Sequence, residues 1–207
     1  MWCEAPVLMV EPDPARVERA LVAGELACPG CAGELRPWGR VPRWLRLGVE
    51  WRGWLRRGRC RGCRATHVLL PVACLARRRD LVGVIGAALQ AKATGTGHRP
   101  IADLLLVPRS TVRGWLRRFA TRAGAIREHF TCLALWLDPR ADPPQPRGSP
   151  LADAVEAIGV AAAAAVRRLG PATSPWQFAS GATAGRLLVM PSAGTASNTS
   201  GLFPAVG

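Results

Sequence analysis

Four cysteines carry the clearest chemistry in the chain. Cys28 and Cys31 form one Cys-x-x-Cys pair (CPGC), and Cys60 and Cys63 a second (CRGC). Two such pairs supply the four thiolates of a tetrahedral structural zinc site, each pair turning so that both sulfurs face one ion at about 2.3 Å. The gap between the pairs is longer than is usual for such sites, but two or three strands of a ribbon can fill it. Four protein sulfurs leave no coordination position open to a substrate, so the expected cofactor is one structural Zn2+ per chain. A thioredoxin-like redox pair needs a βαβ setting that the flanking residues do not supply. His67 is near enough in sequence to replace one ligand. A strand position just past the second pair more often packs or faces solvent, so the four cysteines are the expected set. Cys3, Cys74 and Cys132 stand alone and read as buried thiols.

A second chemistry lies in GHRPIADLLLVPRSTVRGWLRRF, which runs from Gly97 to Phe119. Ile101, Ala102 and Leu105 line one face of a short helix. Leu106-Val107-Pro108 then breaks it, because the residue before a proline avoids the α region. A second helix restarts at Pro108 or Arg109, where proline is tolerated in the first turn. Val112, Trp115, Leu116 and Phe119 recur at i, i+3, i+4 and i+7, the buried stripe of an amphipathic helix. The other face carries Arg109, Ser110, Arg113 and Arg117. This is the spacing of a helix-turn-helix, which places such side chains in the DNA major groove. An ordinary amphipathic hairpin gives the same apolar spacing, but it needs no arginine on the first turn of its second helix. Arg109, Ser110 and Arg113 are the expected base readers. Arg117 and Arg118 are expected phosphate contacts, and Arg99 on the first helix joins the DNA-binding set.

A third group surrounds the second cysteine pair. Arg56, Arg57, Arg59, Arg61 and Arg64 read as phosphate contacts. Trp38, Trp44, Trp51 and Trp54 interleave with them. These rings are read first as core, since a small ribbon needs large side chains to bury, and second as surfaces on which bases stack.

The elements that must position these groups follow from local pattern. Residues 1–12 look extended and irregular. Asp13 caps a helix with Pro14 at its first position and Val17, Leu21 and Val22 as its stripe, ended by Gly24. Residues 40–47, 49–57 and 65–70 have strand composition, with Gly48 between the first two. Asp80 to Lys92 reads as a helix capped by Asp80, with Leu81, Val84, Ile85, Ala88 and Leu89 as its stripe. Arg77, Arg78 and Arg79 just before it are placed to touch a DNA backbone. Helical pattern resumes after Phe119 to about Leu137. The resulting division is an N-terminal segment with a short helix (1–25), a zinc ribbon (26–75), a three-helix DNA-binding domain (76–137), a proline-rich linker (138–150), accessory helices (151–190) and a disordered tail (191–207). The fold class is α+β and mainly α, with two to three short strands.

Charge supports the same reading. Over 207 residues the formal net charge is +14, and it is localised. Residues 36–64 hold ten arginines against Glu50 alone, and 77–127 hold ten arginines and Lys92 against Asp80 and Asp103. Residues 128–207 balance five arginines with five acids. A basic field confined to the middle of the chain points to a polyanion, double-stranded DNA first. No export signal or membrane-length apolar run is legible, so the cytoplasm, in association with the nucleoid, is the expected location. The odd cysteine count argues against a disulfide framework.

With CPGC at Cys28, WGR at Trp38, CRGC at Cys60 and IADLLLVPRSTVRGWLRRF from Ile101 in view, the chain resembles the zinc-ribbon plus helix-turn-helix region of bacterial insertion-sequence transposases. It is most similar to a family of small bacterial proteins that have these two modules and no nuclease domain. The resemblance spans about residues 14–137. It implies a sequence-specific DNA-binding protein, not an enzyme, that serves transposition or regulates transcription. Transposases of this kind hold two metals on three spaced carboxylates of an RNase H-like fold. Beyond the second helix this chain offers only Glu128, Asp138, Asp142, Asp153 and Glu156, without a strand pattern to carry them. The alternatives are a truncated transposase, or an adaptor whose ribbon docks a separate transposase or polymerase; a homodimer is compatible with each.

Overall fold

The computed structural model describes residues 7–47, 49–170 and 174–189, with side chains for all of these except 47 and 49–52. Gly48 and the tail from 191 lie outside the described residues. The element order is β1 (Val7–Val10), α1 (Pro14–Ala23), β2 (Leu35–Leu47), β3 (Val49–Cys60), β4 (Thr66–Pro71), α2 (Val82–Ala93), α3 (His98–Leu105), α4 (Arg109–Ala120), α5 (Ala123–Leu137), α6 (Pro150–Leu169) and α7 (Pro175–Ala182). About half of the described residues are helical, and the strands form one four-stranded sheet in the order β1-β4-β3-β2.

The sheet is larger than the expected two to three short strands. β2 and β3 have 13 and 12 residues and pair antiparallel from Leu35↔Cys60 to Leu47↔Val49, with a bulge between Pro37 and Gly39. The fourth strand comes from residues 7–10, which the sequence presents as irregular. Val7, Leu8, Met9 and Val10 pair in parallel with Val68 to Pro71. A four-residue run between Pro6 and Pro12 is too short to show its own periodicity. It becomes a strand because the far edge of β4 offers it a ladder.

Val10, Val17, Leu21, Leu35 and Leu69 share one small core with Cys28 and Cys60. The expected start of α1 is found: Asp13 Oδ1 accepts from the Ala15 amide at 2.9 Å, and Pro14 opens the helix. Cys28 and Cys60 are therefore built into the apolar centre of the sheet unit, while Cys31 and Cys63 lie at its surface.

The second core is helical. Ile85, Leu89, Phe119, Ile126, Phe130 and Ile158 are at most 1% exposed and anchor it. Asp80 does not cap α2 as its sequence position suggests. Leu81 takes the cap position without a side-chain hydrogen bond, and Asp80 instead pairs with Arg46 of β2 at 3.1 Å. Burial pushes the Asp80 carboxyl up, against the downward pull of Arg46. The α2 stripe is accordingly rotated to include Val82 and Gly86. Gly86 is required: a Cβ there would sit 2.2 Å from the Trp176 ring of α7. α6 is no appendage. Ten of its residues are buried, seven of them alanine, and it lies along α5, where small side chains permit close approach. Between these two helices, 138–149 has no helix or strand, and Arg167 of α6 pairs with Asp138 at 2.8 Å.

His129 of α5 supplies a pH test of this packing. Burial pulls its imidazole below the ordinary 6.5, although a hydrogen bond with the Ala182 backbone pulls the other way. A depressed histidine stabilises the fold in its neutral form, so stability is lost as pH falls below about 6.5. Thermal melts in that window are expected to show an acid-side loss that His129→Gln reduces.

Candidate functional site: a four-cysteine cluster and an arginine surface

Two turns of the same design bring the cysteines together. In the first, the Cys28 amide donates to Gly33 O at 2.8 Å and the Ala32 amide to Cys28 O at 2.8 Å. In the second, the Cys60 amide donates to Ala65 O at 2.9 Å, and the Arg61 amide crosses to Glu34 O at 3.0 Å. The residue after each pair, Ala32 at φ 56° and Arg64 at φ 62°, is left-handed, which closes each turn back on itself. Gly33 has to be small, because a Cβ there would meet Cys60 Sγ at 3.0 Å and Cys31 Sγ at 3.3 Å.

The four sulfurs all lie within 4.8 Å of one another, with Cys28–Cys63 at 3.7 Å and Cys31–Cys60 at 3.4 Å. A tetrahedron of sulfurs about 2.3 Å from a central ion has edges of about 3.8 Å. The cluster therefore fits a single metal ion, and these separations are well beyond a disulfide bond. Its electrostatics agree. Hydrogen bonds from the Gly33 backbone and the neighbouring thiols hold Cys31 down to about 6. At Cys63 the Ala65 backbone pulls downward, but the Cys31, Cys28 and Cys60 sulfurs outweigh it and push the thiol up to about 11. Successive negative charges at one point resist formation until a cation shares them.

His67 joins this centre in a role its sequence position does not suggest. It is 2% exposed, and its Nε2 lies within hydrogen-bonding reach of Cys28 Sγ, at 3.3 Å. It stands behind a ligand rather than replacing one. The signal in the sequence is the strand period: His67 and Leu69 alternate onto the buried face of β4.

The arginine helix is where its spacing puts it. α3 ends at Leu105, Leu106 turns left-handed (φ 53°), and α4 begins at Arg109. Val112, Trp115, Leu116 and Phe119 are all buried, and Ile101 and Ala102 face them from α3. Arg99, Arg109, Ser110, Arg113 and Arg117 are exposed, and Arg118 is half-buried. Asp103 of α3, not singled out in the sequence, pairs with Arg109 at 3.2 Å.

The arginines near the second cysteine pair divide. Arg56 is drawn inward by Glu18 of α1 at 2.6 Å and by Gly39 O at 3.2 Å. Arg57 donates to Thr66 Oγ1 at 3.0 Å, and Arg59 lies 4.3 Å over the Trp38 ring. Arg61, 3.6 Å from Glu34, and Arg64 remain at the surface. The tryptophans correct the expectation that they form the core: Trp38, Trp44 and Trp54 are 53%, 46% and 59% exposed. The sheet core is filled by aliphatic side chains and cysteines, and the long hairpin carries its rings outside. Trp51 is outside the described side chains. Cys74 is buried as expected, Cys132 is exposed, and Cys3 lies outside the described residues.

Among the described residues no helix is long and apolar enough to cross a membrane. No family model, curated protein or solved structure matches the chain.

Proposed function

We propose that the chain is a sequence-specific DNA-binding protein, in which a zinc-bound ribbon stands beside a helix-turn-helix, and that it serves transposition or regulates transcription. The observation that carries this reading is α4. It follows a short turn, seals one face into the core with Val112, Trp115, Leu116 and Phe119, and leaves Arg109, Ser110, Arg113 and Arg117 exposed in a row. A helix held this rigidly can deliver guanidinium forks to guanine edges without bending the protein. Zinc is the metal that a closed tetrahedron of four thiolates suits, and full coordination by protein favours a structural role over catalysis.

Arg113 separates reading from attraction. It is exposed, so Arg113→Ala should leave the fold intact. It should weaken binding to the selected site by ~1 to 3 kcal/mol and relax preference at one base position. Arg61→Ala should instead weaken selected and random duplexes alike and lower the salt slope by about one. Binding of both variants to both duplexes across a salt series checks this. Should Arg113→Ala lose affinity equally for both duplexes while Arg61→Ala changes base preference, the ribbon is the reader and α4 only an anchor.

A further inference from the structure

Residues 77–80 and α4 border an open cleft of about 260 Å³. Arg46 of β2, Arg77, Arg78 and Arg79 of the connecting segment, and Arg118 of α4 line it, with Ser110 at one end. Among the described lining residues Asp80 is the single acid, and Arg46 already pairs with it at 3.1 Å. Five guanidiniums and one carboxylate therefore border a space several times the roughly 30 Å³ that a water occupies in the liquid.

The segment is fixed in place. Arg43 Nη2 donates to Leu75 O at 2.7 Å and to Arg78 O at 2.6 Å, and the Arg46 amide donates to Arg79 O at 2.8 Å. Arg77 is held left-handed at φ 59°, a conformation a non-glycine residue adopts only when its surroundings impose it. Burial, and then repulsion from Arg118, Arg122 and Arg77, pull the Arg78 guanidinium below its ordinary value. Structures do not gather like charges on a rigid frame without cost, and an anion in the cleft offsets that cost.

We infer that this cleft is a phosphate-binding site, built jointly by the sheet unit and α4, and that it takes a backbone phosphate of bound duplex. The source of the phosphate rests on the DNA-binding reading; the site itself does not. Ser110, Gly114 and Arg118 recur every four residues along α4, beside the Arg109–Arg113–Arg117 row. A duplex whose groove receives that row has a strand running along the cleft. The contact would fix the orientation of the sheet unit on DNA as well as that of the helix.

Two measurements on the full chain test the two parts. Inorganic phosphate, exchanged for chloride at equal ionic strength, should raise Tm by a few degrees once it exceeds its Kd. Arg78→Gln and Arg118→Gln should each abolish most of that rise. Among the described residues the Arg78 side chain donates only to Arg77 O, at 3.5 Å, so its loss should not disturb the fold. Arg16→Gln, on the remote α1, should keep the full rise. With duplex, Arg78→Gln should lower the salt slope by about one without changing base preference. A wild-type Tm that does not respond to phosphate, or an Arg78→Gln slope equal to wild type, overturns the inference; an Arg113→Ala effect on preference would still uphold DNA reading. A phosphate response lost in Arg78→Gln, in a chain that binds no duplex, upholds the site, assigns it to a free phosphate compound and removes the DNA reading.

Discussion

Replacing Cys28 or Cys60 with serine is expected to release the metal and unfold the sheet unit. Both side chains are nearly sealed, at 2% and 1% exposed, and share the small core of Val17, Leu21, Leu35 and Leu69. Binding free energy at structural zinc sites is about 10 to 16 kcal/mol and is largely folding free energy. A whole domain holds only about 5 to 15 kcal/mol, and seven buried residues with two partly buried neighbours cannot make up the difference. Serine at the exposed Cys31 or Cys63 should lose the metal and the sheet fold as well, although neither side chain belongs to the apolar core. His67→Gln should keep one metal per chain and weaken its hold by about 10 to 100-fold, as for other partners that hydrogen-bond a ligand. Metal analysis and chelator competition measure these outcomes, and far-UV circular dichroism follows the sheet. Folded wild-type chain without metal would falsify the assignment. The helical core has its own apolar cluster, so much of the helix signal should survive chelation.

What was legible in the sequence was what depends on spacing along the chain. The four cysteines, the break at Leu106-Val107-Pro108 and the Val112–Phe119 stripe are each written within a few residues, and each is found in place. What was not legible depends on partners distant in sequence. Asp80 looks like a helix cap until β2 brings Arg46 beside it. Val7–Val10 becomes a strand only because β4 is there to pair with it. The tryptophans look like core because large apolar rings usually are, but aliphatic side chains and cysteines fill the small sheet core and leave the rings outside. α6 carries no strong stripe because alanine is only weakly apolar. Its burial follows from closeness to α5, which composition does not reveal. His67 follows the strand period, yet nothing in its neighbours indicates that Cys28 lies across from it.

Phe119→Ala is expected to destabilise the helical core by ~3 to 5 kcal/mol, and Leu116→Ala by ~2 to 5 kcal/mol, as for other large side chains truncated in close-packed interiors. Phe119 is 0% exposed and Trp115 2%, on a helix that packs against α2, α3 and α6. The cavity left by either truncation opens among fully buried neighbours such as Ile85 and Ile101, which have little room to collapse into it. Denaturant midpoints at constant m-value measure the loss. The same variants fix the rotation of α4. At a temperature where they remain folded, Phe119→Ala and Leu116→Ala should keep the base preference of the wild type, because neither side chain reaches the exposed arginine row. Arg113→Ala should do the reverse, keeping the midpoint and losing the preference. If Phe119→Ala keeps the wild-type midpoint and changes the preference, the row of Arg109, Arg113 and Arg117 is not the face that meets DNA. The helix would then be turned by about half its circumference from the orientation its apolar stripe requires.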